Sequence, residues 1–481
     1  MNKDTTFGRL IGILFITMFV CLALYMLPDT ILGYKIKKVD LLSDLRIKDD
    51  SVSIDQLKRK LAIADSLLTD SINKARLAQS AETDSFSIAL RDSLYKAMQS
   101  SWSAADSQGV RLEDFSLGHV GLKRFFAALK NAQERRGQVR IAFMGDSFIE
   151  GDIMVADFRN AMQQKFGGRG VGFVPIASSV SQYRPTVEHH FGGWNTFSLL
   201  TDKSKKYTLP GMVFEAQEGA NANFRTVNRY ATLREVSALK LVYEQNANSQ
   251  VQLVSNSSAD TAYQDLPATN TVTQRTWTGH FTNASFRFNR PEGLRVLGVS
   301  MEDTTGVVVD NYSLRGNSGL ILEQMDPSRC EALNAIRRYD LIVLQYGLNV
   351  VSDEMLHYGW YRQRMVQVIK HVQRCFPNAD ILLLGVSDRS RQEEGTFKTM
   401  PAVLALLHAQ RQIAQQAGVC FWNVFGAMGG ENSMVRYVDN NWASKDYTHL
   451  SFRGGKEIGM SLFKAVLIEK QFYDEAEKAL R

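Results

Sequence analysis

Strand-like and helix-like apolar patterns alternate along much of this chain, and that alternation restricts it to a parallel α/β sheet more firmly than any other feature. The run Val139-Arg-Ile-Ala-Phe-Met144 has the pattern of a short buried strand and is closed by Gly145-Asp146-Ser147. A helical pattern from Val155 to Phe166 follows and stops at Gly167-Gly168. Strand, tight turn and helix are the opening of a βα unit. The same alternation resumes at Val307-Val-Val309. It continues through a helix from about Cys330 to Arg338, the strand Tyr339 to Gln345 and a helix from about Met355 to Cys375. The strand Asp380 to Leu384, a helix from about Val403 to Ala417, the strand Val419 to Val424 and a last helix from about Gly454 to Gln471 complete it. Successive parallel strands joined by helices predict a three-layer α/β/α fold.

Between these stretches the composition changes. From about 182 to 302 the chain is rich in Thr, Asn, Ser, Gln and aromatics. It carries period-2 segments such as Ala238-Leu-Lys-Leu-Val-Tyr243 and Ser285-Phe-Arg-Phe-Asn289. Short alternating strands at this density predict a β-sandwich, jelly-roll-like, inserted into the α/β body. The expected division is 115–181 for the first part of that body, 182–302 for the inserted module and 303–481 for the second part.

The N-terminus predicts a membrane segment. From Leu10 to Leu27 no residue is charged, and about eighteen apolar residues suffice for one helical crossing. Pro28-Asp29 follows with no small-residue cleavage pattern, so residues 1–40 are expected to be an uncleaved signal anchor. A large body behind a single N-terminal span is expected outside the cytoplasm. Residues 41–114 are polar, with Ile54, Leu57, Leu61, Ala64 and Leu68 near heptad spacing. This predicts a helical stalk.

The formal net charge of +6 is dispersed, with no Lys/Arg block interleaved with aromatics. Nucleic acid is therefore not an expected partner. Of four cysteines, Cys21 falls in the apolar run, and Cys330, Cys375 and Cys420 form no CxxC pair. A zinc site is not expected, and the three read as small buried hydrophobes. Glu150 and Asp152 lack a neighbouring His and read as a hydrogen-bonded turn, not a metal site. No phosphate-binding or dinucleotide motif is present, so no cofactor or metal is expected.

In open parallel sheets the working groups gather at the carboxyl ends of the strands. Three polar sites are placed for that edge: Gly145-Asp146-Ser147, Gly347-Leu348-Asn349, and Asp446-Tyr447-Thr448-His449 before the last helix. Each alone is an ordinary turn. Together and in this order they supply a nucleophile, an amide donor and a carboxylate–imidazole pair, the parts acyl transfer needs.

These blocks resemble those of the SGNH/GDSL hydrolase superfamily, with Gly316 in Asn311-Tyr-Ser-Leu-Arg-Gly316 standing for the glycine block. The resemblance covers about 115–181 and 303–470. Gly145-Asp-Ser-Phe-Ile-Glu-Gly-Asp152 and Phe166-Gly-Gly-Arg-Gly-Val-Gly-Phe173 are most similar to periplasmic members that add or remove O-acetyl groups on envelope polysaccharide or peptidoglycan. It implies Ser147 as nucleophile, His449 as base and Asp446 as its orienting carboxylate. It also implies an oxyanion hole from the Ser147 and Gly316 backbone N–H groups and the Asn349 amide. An acylated glycan is the implied substrate, with a membrane-bound acyl donor protein for a transferase. Val350 stands where the family commonly has Asp. Two other functions compete: a glycan-binding scaffold acting through the inserted module, and a membrane-proximal lipase.

Overall fold

The computed structural model describes residues 54–62, 85–100, 111–134, 137–257, 260–353 and 355–480, with the backbone of 30–31 and 34–35. The chain forms two compact units, Met1–Gln56 and Leu57–Arg481. In the first, Thr30–Ile31 pairs antiparallel with Tyr34–Lys35. The apolar run Leu10 to Leu27 lies outside the described residues. Among the described residues no helix is long and apolar enough to cross a membrane.

In the second unit, helix α1 (Ser85–Ser100) lies in the segment expected to be stalk. It is seated on the body: Tyr95 packs with Phe472 and Ala476, and Arg91 pairs with Glu477. Then come β1 (Leu112–Asp114), α2 (Lys123–Gln133), β2 (Gln138–Gly145) and α3 (Val155–Phe166). An antiparallel region follows: β3 (Gly172–Pro175), β4 (Glu188–Ser198), β5 (Met212–Arg225), β6 (Val236–Gln245), β7 (Ser249–Ser255), β8 (Thr261–Leu266), β9 (Thr273–Phe281), β10 (Asn283–Asn289) and β11 (Leu294–Glu302). The chain returns to the α/β body with β12 (Gly306–Ser313), α4 (Pro327–Arg337), β13 (Leu341–Gln345), α5 (Gly359–Cys375) and β14 (Asp380–Leu384). A hairpin of β15 (Ser390–Glu393) and β16 (Thr396–Thr399), then α6 (Pro401–Ala417), β17 (Cys420–Trp422) and α7 (Phe452–Ala479), complete the fold.

Local chemistry sets these boundaries. Pro327 opens α4 behind Asp326, whose carboxylate accepts the Arg329 N–H, a cap that satisfies a free helix-end donor. The strand expected to run to Val424 stops at Trp422, because the Asn423 side chain accepts the Gly426 N–H and starts a short helix. The last helix runs beyond Gln471 to Ala479 because Phe472 and Ala476 remain buried against α1.

One sheet has the order β12-β2-β13-β14-β17-β1. All neighbours are parallel except β1, which runs against β17. The Leu-Ile-Val-Leu-Gln run of β13 is buried throughout, as a strand covered on both faces requires. Helices α2, α3 and α7 pack together, as do α4, α5 and α6, and these two groups flank the sheet. From β2 the chain goes first to β12 on one side and later to β13 on the other, a switch point that opens a crevice at the carboxyl end of β2.

The other sheet has nine strands in the order β8-β7-β10-β5-β11-β6-β9, with β4 on β5 and β3 on β11. β5 and β11 meet at one residue pair, Arg295 with Glu215. Phe224, Phe286, Leu253, Leu239, Val296 and Val299 belong to one buried apolar cluster. Trp194, Tyr230 and Trp277 pack against it, so these aromatics serve the core. The sheet takes in Gly172–Pro175, ahead of the range 182–302.

A buried charge cluster stitches the two sheets together. Arg140 of β2 reaches Glu302 of β11 at 2.7 Å and Asp310 of β12 at 3.3 Å, and Arg337 of α4 reaches Asp310 at 2.7 Å. All four side chains are essentially sealed from water. Burial raises the Glu302 carboxyl, but Arg140 and Arg337 outweigh it and hold the group well below its ordinary value.

Candidate active site

The turn that carries Ser147 begins with a glycine that has no room for a side chain. A Cβ on Gly145 would come within 2.9 Å of the Gln345 carbonyl oxygen and 2.8 Å of the Ile149 side chain. Asp146 is buried and accepts the Phe148 N–H at 2.9 Å, which tightens the turn and leaves Ser147 partly exposed at the sheet edge. The backbone N–H groups of Ser147 and Gly316 have no hydrogen-bond partner among the described residues.

Across the crevice, Ser147 Oγ lies 3.3 Å from His449 Nε2. His449 Nδ1 lies 2.7 Å from Asp446 Oδ2. The other Asp446 oxygen accepts the N–H groups of Thr448 and His449, each at 3.0 Å, and the Ser444 hydroxyl at 2.9 Å. Burial pushes the Asp446 carboxyl up, but the His449 N–H and ring, with Thr448 and Ser444, prevail and bring it down to about 2. Asp446 therefore stays ionised, and an ionised carboxylate fixes the proton on His449 Nδ1, leaving Nε2 able to accept from Ser147. Both side chains are about half exposed, 50% and 46%, so the site is open, not a closed pocket.

Asn349 is exposed at the end of β13. Its Nδ2 donates to Asp146 Oδ2 at 3.0 Å and to the Asn317 carbonyl oxygen at 3.1 Å. Both amide hydrogens are thus engaged, and Asn349 ties the Gly145–Ser147 turn to the loop after β12. Gly316 lies in that loop with a φ of 77°. Val350 is buried, and its N–H bonds the Gly347 carbonyl at 2.8 Å.

No family model matches this chain, and no curated protein matches it. A search of solved structures returned a peptidoglycan O-acetylesterase with a TM-score of 0.62, at 19% identity over 75% of this chain and 99% of that one. The chain shares the fold of that esterase. An acetyl xylan esterase matches at 16% identity and a TM-score of 0.26, over 33% of this chain and 81% of that one. A family two carbohydrate esterase from Cellvibrio japonicus matches at 10% identity and a TM-score of 0.26, over 63% of this chain and 98% of that one.

On this α/β body, every residue singled out for the site lies at the carboxyl edge: Ser147 after β2, Gly316 after β12, Asn349 after β13, and Asp446 and His449 before α7. Three further residues support them. Asp146 bridges the turn to Asn349, and burial pushes its carboxyl up to about 6 against the Phe148, Asn349 and His449 contacts that lower it. Phe397 of β16 stacks on Tyr447, inside the Asp446–His449 loop. Asp152 is sealed inside the next turn, where it accepts from Arg159 and Arg184. Glu150 pairs with Arg315, so the Glu150–Asp152 stretch is a bonded turn.

Other buried polar and sulfur-bearing side chains are engaged elsewhere. His189 is buried and stacked on Phe224, and its Nε2 lies 3.2 Å from the Ile176 carbonyl oxygen. Asp388 is buried and accepts from Thr399, Ser433 and the Met434 N–H, anchoring the hairpin of β15 and β16. Cys330, Cys375 and Cys420 are free and buried. Among the described residues no group of three His, Cys, Asp or Glu side chains is gathered for a metal ion.

Proposed function

We propose that this chain is a serine-dependent O-acyl esterase of envelope glycan, with acetyl as the acyl group. One observation carries the reading: Ser147 Oγ, His449 and Asp446 stand in hydrogen-bonding order, at 3.3 and 2.7 Å, beside two unpartnered backbone N–H groups. Its fold likeness to a peptidoglycan O-acetylesterase supports the substrate class. So does the half-exposed His449–Asp446 pair, since a polymer reaches an open edge more easily than a deep pocket.

In this mechanism Ser147 Oγ attacks the ester carbonyl carbon as His449 Nε2 takes its proton. Asp446 stabilises the imidazolium without becoming protonated. The oxyanion is received by the Ser147 and Gly316 N–H groups, and Asn349 joins them by exchanging one of its present bonds. Collapse expels the sugar oxygen, which takes the proton from His449 and leaves an acyl-Ser147 ester. Water, activated by His449, then cleaves that ester and releases the acid. A sugar hydroxyl in place of water would make the same intermediate serve O-acyl transfer. The residues 1–40 would hold this body at the outer face of the cytoplasmic membrane.

The deciding experiment measures hydrolysis of an aryl acetate and an O-acetylated glycan by wild type and Ser147→Ala, with and without an oligosaccharide acceptor. Loss of turnover in Ser147→Ala supports the acyl-serine route, and acetyl on the acceptor assigns transfer. Equal rates in both proteins remove Ser147 as nucleophile and favour the glycan-binding scaffold.

A further inference from the structure

A cavity of about 240 Å³ lies where the two sheets meet, beside the nucleophile turn. Glu150, Gly151 and Arg315 form one wall, and Ser178, Arg184 and Met212 form part of the other. The Glu150 N–H bonds the Ser147 carbonyl at 3.3 Å, and Arg315 directly precedes Gly316. The cavity wall is therefore joined through Glu150 to the turn of Ser147 and through Arg315 to Gly316.

Its charge is unbalanced. Three charged side chains line it: Glu150, Arg184 and Arg315. Glu150 and Arg315 neutralise each other. Arg184, only 10% exposed, donates from Nε and Nη2 to the two oxygens of Asp152 at 3.0 and 3.2 Å. Asp152 accepts from Arg159 in the same bidentate way, at 3.0 and 3.2 Å, and from Thr186 and Asn311 as well. Two guanidiniums thus share one carboxylate, and one positive charge is left over. Arg184 Nη1 has no partner among the described residues, although the nearby Asp310 carboxylate is already held by Arg140 and Arg337. A nearly buried cation with an open donor at a cavity wall attracts an anion far more strongly than one in water.

We propose that this cavity binds an anionic substituent, a carboxylate or phosphate, on the sugar next to the one that carries the ester, with Arg184 Nη1 as its donor. The inference rests on the esterase reading and sharpens it: the glycan is acidic, and Arg184 selects it.

The test uses full-length protein and O-acetylated oligosaccharides that differ only in the neighbouring sugar, which bears a carboxylate, its primary amide or a phosphate monoester. Binding to Ser147→Ala is measured by calorimetry at low ionic strength, and turnover is measured with wild type. One charge-assisted bond predicts that an anionic ligand binds about tenfold tighter than the amide, and the carboxylate and phosphate arms say which. Arg184→Met should erase this preference, whereas Arg184→Lys, which keeps the charge beside Asp152, should retain part of it. Equal affinity for all three ligands overturns the proposal, as does a preference that survives in folded Arg184→Met. Turnover failing on every ester, with the anionic preference intact in Ser147→Ala, would sink the esterase reading and leave the acidic-sugar site standing.

Discussion

The ring of Tyr447 lies flat on the ring of Phe397, with centroids 3.6 Å apart and planes 8° from parallel. Tyr447 sits between Asp446 and His449 with a φ of 54°, a left-handed conformation that a bulky residue holds only when its surroundings enforce it. The stack, with the Ser390 N–H on the Tyr447 carbonyl at 3.2 Å, enforces it from the hairpin of β15 and β16. Removing the ring should loosen the loop that aims His449. Such stacks are worth about 0.5–1.5 kcal/mol, so Phe397→Ala should lower kcat by about two- to tenfold. Phe397→Trp should restore it, and thermal unfolding of both variants checks that the body is intact.

Asp446→Asn separates the loop-holding and tautomer-holding roles of one side chain. The amide oxygen it introduces can still accept the Thr448 and His449 N–H groups that Asp446 Oδ1 takes now. The amide nitrogen, however, would face His449 Nδ1 and move the ring proton to Nε2, where it blocks acceptance from Ser147. The expected result is a fall in kcat of about 10²–10⁴-fold with little change in unfolding midpoint. The pH sign follows from the depressed carboxyl. Its contribution to loop stability is complete above the ordinary 3.8 and is lost as pH falls through about 2. The His449 Nδ1 proton resonance should therefore persist below the ordinary carboxylate value and be lost as pH falls toward about 2.

Asp146 behaves in the opposite sense, because burial pushes its carboxyl up from 3.8 to about 6. The folded state then holds that proton more tightly than the unfolded chain does. Its contribution to stability is complete below 3.8 and lost as pH rises through about 6. Asp146→Asn cannot ionise, so the fall in unfolding midpoint across this interval should flatten in the variant. At Asn349 the same change sets an amide donor against Nδ2, which now donates to Asp146 at 3.0 Å. An unmet donor costs about 1–3 kcal/mol, so kcat should also drop, by roughly tenfold. Thermal scans across pH 3.5–7 and steady-state turnover check both effects.

What was legible in the sequence was local. Gly145-Asp146-Ser147 stands directly behind the four-residue apolar run Ile141 to Met144, and Asp446 and His449 are three residues apart, so both signals survive in one dimension. The same holds for the helix from Val155 to Phe166, whose bounds agree with the structure. What could not be read depends on topology. Asn349 meets Asp146 across 203 positions, Arg184 meets Asp152 across 32, and no spacing announces either bond. The Phe397–Tyr447 stack likewise needs β16 to fold back over the loop. Within the segment 41–114, the face of α1 around Tyr95 that packs on α7 could not be read, because its partners Phe472 and Ala476 stand far along the chain.

The cluster of Arg140, Glu302, Asp310 and Arg337 gives the last prediction, because it joins strands of both sheets without water. Each ion lost hydration on burial, and the mutual attraction offsets that cost only while every partner is present. Glu302 accepts from Arg140 through both oxygens, at 2.7 and 3.0 Å, and from Lys240 at 2.5 Å. Glu302→Ala would leave Arg140 and Lys240 facing Arg337 with Asp310 alone to balance them. Breaking a buried pair from one side costs about 3–5 kcal/mol, so chemical denaturation should show a loss of that size. Arg140→Met with Glu302→Leu removes both charges, and the double variant should recover much of the loss. If Glu302→Ala alone lowered stability by no more than an exposed ion pair does, about 1 kcal/mol or less, the cluster would not be what holds the sheets together.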